Sequence, residues 1–193
     1  NKNFLTNSNI ITFTDLNGKL MALKPDVTLS IAKNVKDTDG IQKLYYSENV
    51  YRARKGGNEF REIMQTGLEC MGKIDLYSVG EVLMLAAKSL EEISDSYIID
   101  ISHTGFVAEL FKDIPEEKRE TLLSYVNAKN SVGIRKICRK FGLGVSLTEK
   151  AVKLASIYGP FESVIDELKS ISVNNRTDEA IDELEGIYKM LKV

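Results

Sequence analysis

The 193 residues, 43% hydrophobic and 28% charged, hold enough apolar material for one large packed unit or two small ones. Their 26 basic and 28 acidic residues leave a net charge of −2, which excludes a globally electrostatic nucleic-acid or anionic-membrane binder and confines any basic site to a local patch. No apolar run approaches the roughly 20 residues of a membrane span, and no basic-then-apolar series opens the chain, so a cytoplasmic protein is expected. The two cysteines, Cys70 and Cys138, lack CxxC spacing, and His103 is the one histidine; neither a metal nor a cofactor is expected, and both thiols read as reduced, packed side chains.

In chain order, "IITFTDLNGKLMAL" reads as a hairpin turning at Asp15 to Gly18, where Asn17-Gly18 suits positive φ. "PDVTLSIAKNV" reads as a helix, with Pro25 at its first position, Asp26 at the positive end of its dipole, and Val27, Ile31 and Val35 four residues apart. Two long strands follow, "IQKLYYSENVYRAR" and "EFREIMQTGLECMG", joined through Lys55 to Asn58. A helix over Leu76 to Ile93 presents Val79, Leu83, Leu90 and Ile93 on one face, and "SYIIDIS" reads as a short buried strand. From Gly105 the texture is helical throughout, "VAELF", "EEKRETLLSYVN", "SVGIRKICRKFG", "LTEKAVKLASIYG", "PFESVIDELKS" and "TDEAIDELEGIYKML", with Thr177 opening the last helix. The polar start "NKNFLTNSN" without methionine and the stop inside a helical pattern at Val193 suggest a piece of a longer chain.

Alternation along the second long strand puts Arg61, Ile63, Gln65, Gly67, Glu69 and Met71 on one face and Phe60, Met64, Leu68 and Cys70 on the other, which is expected to be core. Gln65 and Glu69 then flank the space above Gly67, an arrangement that accepts from a ligand's amine. Arg52 and Arg54 share a face of the preceding strand, where Arg52 can offer a carboxylate or phosphate its forked guanidinium. The same pattern also fits a sheet face that is simply solvated. His103 reads as a strand-end residue capping the next helix, and Lys24 as a solvated lysine.

"YRARKGGNEFREIMQTGLECMG" resembles motif 2 of the class II aminoacyl-tRNA synthetase fold in its histidyl branch, where an arginine-bearing strand and a Gln-x-x-x-Glu strand floor the amino-acid site. "MALKPDVTLSIAKN" resembles that branch's "LRPEGT" or "LRPDxT" segment, and the "FTDLNGKLMAL" hairpin fits as well; the resemblance spans residues 3–110 and weakens in the helical remainder. It implies an α+β fold, a class II-type antiparallel sheet flanked by helices, with residues 1–111 a core whose N-terminal part is missing and residues 112–193 a helical insertion. It also implies a homodimer and assigns Asp26, Thr28, Arg52, Gln65 and Glu69 to contacts with histidine.

The branch contains an activating enzyme, histidyl-tRNA synthetase, and catalytically inactive regulatory subunits of ATP phosphoribosyltransferase. Arg54 stands where the enzyme has a glutamate that helps hold ATP, a reversal of charge and of hydrogen-bonding sense. Lys55-Gly56-Gly57 replaces an Arg-Pro continuation, and "KPDVTLSIAKN" is closer to the regulatory wording "RPDxTxxIAR". The resemblance therefore implies a regulatory subunit with no catalytic residue of its own, partnered by the short-form catalytic subunit, with histidine as effector and neither nucleic acid nor membrane. The alternatives are a fragment of the synthetase and a binding module unrelated to histidine. The branch's "GGRYD" element and its tyrosine pair do not occur before Val193.

Overall fold

A computed structural model describes residues 10–35, 40–53 and 59–192. The chain divides into two units, Asn1–Val82 and Leu83–Val193.

In the first unit, strands β1 (Thr12–Thr14) and β2 (Leu20–Ala22) form the expected antiparallel hairpin, with Thr12 opposite Ala22. Asp15 fixes its turn: the backbone carbonyl accepts from Gly18 N at 3.0 Å, while Oδ1 accepts from Asn17 N and Lys19 N at 2.8 and 2.9 Å. Gly18 has φ +77°, the left-handed conformation a glycine adopts without strain. Helix α1 (Val27–Asn34) starts two residues later than the proline suggests. Asp26 is the N-cap, its Oδ1 accepting from Leu29 N at 3.1 Å, and Pro25 lies outside the helix with its carbonyl turned to another use.

Strands β3 (Gln42–Ala53) and β4 (Phe60–Met71) form a long antiparallel ribbon whose register runs from Gln42 opposite Met71 to Ala53 opposite Phe60. Arg54 and the connection through Lys55 to Asn58 lie outside the described residues. Tyr51 N donates to Lys24 O at 2.9 Å, which ties the segment entering α1 to β3. The face carrying Phe60, Met64, Leu68 and Cys70 is not the core expected of it: Met64 is 67% exposed and Tyr45, which shares that face, 92%. The opposite face holds the fully buried Val50, because the segment running into α1 lies over that side. Helix α2 (Leu76–Glu91) starts behind Asp75, whose Oδ1 accepts from Ser78 N and Ser78 Oγ at 2.8 and 2.6 Å. These two bonds hold the Asp75 carboxyl below its usual range.

The unit boundary falls inside α2, and the rest of the chain is helical: α3 (Thr104–Leu110), α4 (Glu116–Asn127), α5 (Ser131–Phe141), α6 (Val145–Ser156), α7 (Phe161–Ile171) and α8 (Asn175–Leu191). The "SYIIDIS" segment is not a strand. It has no strand partner among the described residues, and Ile98 is 78% exposed. Apolar positions at helical spacing, such as Ile134, Ile137 and Cys138 on α5, meet in one core with Phe106, Leu122, Ala151, Ile165 and Ile181. Phe106, Leu110 and Phe111 belong to that core as well. Burial pushes the Cys138 thiol up, as fits a packed, reduced cysteine.

Helix α8 begins two residues before Thr177. Asn174 is its N-cap and Thr177 the third residue of a reciprocal capping box, fully buried, with Oγ1 accepting from Asn174 N at 3.0 Å. Asn174 Nδ2 also donates to Glu109 Oε1 at 2.7 Å, which joins the start of α8 to α3. Lys112 Nζ donates to the same oxygen at 2.6 Å, and this bond, followed by that from Asn174, holds the Glu109 carboxyl below its usual range. His103 caps α3 as expected: Nδ1 accepts from Phe106 N at 3.2 Å, and Nε2 lies 2.9 Å from Glu183 Oε2 on α8.

Leu122 has no exposed surface, so Leu122→Ala is expected to destabilise the fold by about 2–5 kcal/mol, seen as a lower denaturant midpoint with an unchanged slope. The lowered Glu109 carboxyl contributes stability that is complete above its unfolded-state value and lost as pH falls through its folded one. Glu109→Gln should therefore lower the thermal midpoint at neutral pH and converge with the unsubstituted protein in acid, below the carboxylate range.

Candidate functional site

The ribbon's register brings Arg52, Glu48, Tyr46 and Leu44 of β3 onto the face shared by Arg61, Gln65, Gly67 and Glu69 of β4. The loop entering α1 lies against this face, so all five residues singled out in the sequence come to it in two hydrogen-bonded groups, Asp26 with Arg52 and Gln65, and Thr28 with Glu69.

Arg52 is the centre of the first group. Nε donates to Pro25 O at 2.7 Å, while Nη2 donates to Gln65 Oε1 at 2.7 Å and to Asp26 Oδ2 at 3.2 Å. The Asp26 carboxylate is thereby divided, one oxygen capping α1 and the other receiving the guanidinium. Thr28 Oγ1 donates to Glu69 Oε1, joining the first turn of α1 to the far end of the same face. Lys24 is not simply solvated: its ammonium pairs with Glu48, the residue opposite Gln65.

Sequence reasoning missed Tyr46, Glu48 and the Pro25 carbonyl. Alternation places Tyr46 and Glu48 on the Arg52 face by the same count of two that found Gln65 and Glu69, so that signal was present. A carbonyl freed by a proline outside the helix carries none. Gln65 Nε2 donates to Tyr46 Oη at 2.8 Å, and so the Gln65 amide is held at both ends.

Asp26 and Glu48 are each paired with a cation, Arg52 and Lys24, whereas Glu69 receives the neutral hydroxyl of Thr28, which makes it the carboxylate suited to a ligand's ammonium or another cationic donor. Glu69 receives one hydroxyl through Oε1, and a carboxylate has acceptor capacity well beyond one bond. Arg52 has Nε and Nη2 committed within the protein, so its whole fork is not open to an incoming carboxylate. On the opposite ribbon face Tyr51 Oη donates to Glu62 at 3.0 Å, and that carboxylate pushes the Tyr51 phenol up. Among the described residues no group of three or more His, Cys, Asp or Glu side chains is placed to hold a metal ion.

The model of the family described as Histidyl-tRNA synthetase matches residues 5–193. An ATP phosphoribosyltransferase regulatory subunit of Ruminiclostridium cellulolyticum is 26% identical over 190 residues, covering 94% of this chain and 45% of that protein. A histidine–tRNA ligase of Archaeoglobus fulgidus is 26% identical over 164 residues, covering 82% of this chain and 40% of the ligase. The crystal structure of an ATP phosphoribosyltransferase regulatory subunit/histidyl-tRNA synthetase from Bacillus halodurans C superposes with a TM-score of 0.77 at 25% identity, covering 96% of this chain and 50% of that one. The chain thus spans about half the length of the curated relatives it matches. The fold is the class II-like α+β one that motif 2 implied, and with a family model matching nearly its whole length the chain belongs to the histidyl-tRNA synthetase family.

Proposed function

We propose that this chain is part of a non-catalytic regulatory subunit of ATP phosphoribosyltransferase in histidine biosynthesis, which supports the short catalytic subunit and senses histidine as feedback effector. The observation that carries this reading is a ribbon face on which the residues that the resemblance assigns to histidine meet, Asp26, Arg52 and Gln65 in one hydrogen-bonded group and Thr28 with Glu69 in another, while position 54 carries arginine in place of the carboxylate that ATP activation uses. Relatives bearing the regulatory name align with 94% and 97% of this chain. In this reading Glu69 and Asp26 face the effector's ammonium and imidazole, Arg52 and Gln65 align the floor beneath it, and the helical unit is an insertion into a class II core. No cofactor enters the scheme.

Sensing requires histidine to bind the inhibited assembly more tightly than the active one, because a ligand of equal affinity for both shifts nothing. The protein is expected to act in the cytoplasm, as a homodimer within a hetero-oligomer with the catalytic subunit; no helix among the described residues is long and apolar enough to cross a membrane. The synthetase reading has the Archaeoglobus fulgidus ligase in its favour and predicts chemistry where the regulatory reading predicts only binding.

Titration calorimetry on the full-length protein is expected to detect histidine binding, and Glu69→Gln or Arg52→Ala to weaken it by about 10-fold or more, since a hydrogen bond to a charged group contributes about 1.5–3 kcal/mol. No heat and no thermal shift at millimolar histidine would sink the sensor reading. The same protein is expected to give no histidine-dependent exchange of pyrophosphate into ATP; exchange with Arg54 unchanged would establish the enzyme instead.

A further inference from the structure

Gly67 and Tyr46 are directly opposite one another on the ribbon face that carries the cluster. A Cβ built on Gly67 would lie 2.5 Å from Tyr46 Oη and 2.7 Å from Cζ, far inside contact distance, so the phenol ring occupies the space a side chain at position 67 would need. Only with that space open does the ring cross β4 and bring its hydroxyl to Gln65, the next residue along on the same face.

Two bonds then define the Gln65 amide. Arg52 Nη2 donates to Oε1 at 2.7 Å and Nε2 donates to Tyr46 Oη at 2.8 Å. Arg52 alone fixes which end of the amide is oxygen; the phenol fixes where the amide's other end lies, and through it the guanidinium that also holds Asp26 and Pro25 O. Tyr46 is half-buried, and the chain of contacts Tyr46, Gln65, Arg52, Asp26 runs from the middle of the ribbon to the N-cap of α1.

We propose that Tyr46 is a positioning residue of this amino-acid site, acting through Gln65 on Arg52, and that Gly67 is the gap that lets it act. The inference rests on the histidine reading given above and adds to it a residue that does the aligning without itself carrying the ligand's charge. It requires that loss of the phenol hydroxyl alone weakens binding, that the loss vanishes when Gln65 is absent, and that a side chain at position 67 acts by displacing the ring.

The test is histidine titration of the full-length protein with thermal midpoints measured in parallel. Tyr46→Phe is expected to bind histidine about 3- to 10-fold more weakly, the range for one neutral hydrogen bond, with the ligand-free midpoint unchanged. Tyr46→Phe added to Gln65→Ala should weaken binding no further. Gly67→Ala should weaken it more than Tyr46→Phe does, and Gly67→Ala with Tyr46→Ala should bind no worse than Tyr46→Ala alone, since removing the ring removes the clash. Binding by Tyr46→Phe equal to that of the unsubstituted protein, or an undiminished loss in the Gln65→Ala background, would overturn the positioning role while leaving histidine binding intact. Absence of binding by the unsubstituted protein would instead overturn the histidine reading, and this inference with it.

Discussion

The sheet-bearing unit depends on one guanidinium. Arg52 joins the carbonyl of Pro25, the carboxylate of Asp26 and the amide of Gln65, three groups that come from the helix entry and the second ribbon strand. The same Asp26 carboxylate caps α1, so the start of the helix and the geometry of the site are set by one side chain. An arginine so engaged is held in place by its planar donors, which a lysine's single ammonium would not reproduce. Thr28, in the first turn of that helix, donates to Glu69 farther along the same ribbon face.

The helical unit follows a different physical logic. Its order comes from interdigitated apolar side chains, with Phe106, Phe111, Leu122 and Ile134 nearly or wholly withdrawn from solvent, and from polar contacts that fasten helix ends. Asn174 both caps α8 and donates to Glu109, and the Lys112 and Asn174 bonds keep that carboxylate ionised where burial alone would favour its neutral form. Polar groups in the sheet-bearing unit gather around a face suited to a ligand, whereas those in the helical unit satisfy one another.

Alternation along β3 and β4 made Arg52, Gln65 and Glu69 neighbours before any coordinate was known, because side chains two apart on a strand must share a face. The Asp15 to Gly18 turn was legible for an equally local reason, the positive φ at Gly18. Local rules do not say which face of a ribbon is covered, and so Met64 and Tyr45, apolar and alternating as a core should be, are exposed. Nor do they supply a strand's partner, which is why the apolar run at Ile98 to Ile101 pairs with nothing among the described residues. Helix starts moved for a third reason: at α8 the reciprocal bonds between Asn174 and Thr177 outweigh the acidic first turn that pointed to Thr177.

His103 accepts a backbone proton at Nδ1, so its own hydrogen must sit on Nε2, directed at Glu183. The imidazole is thus fixed in one of its two neutral forms by the helix it caps. Since this sequence contains a single histidine, its ring nitrogens give an unambiguous nuclear magnetic resonance signature of that form. Loosening of the junction between α3 and α8 would register there as tautomeric exchange, because the ring meets α3 through Nδ1 and Glu183 of α8 through Nε2.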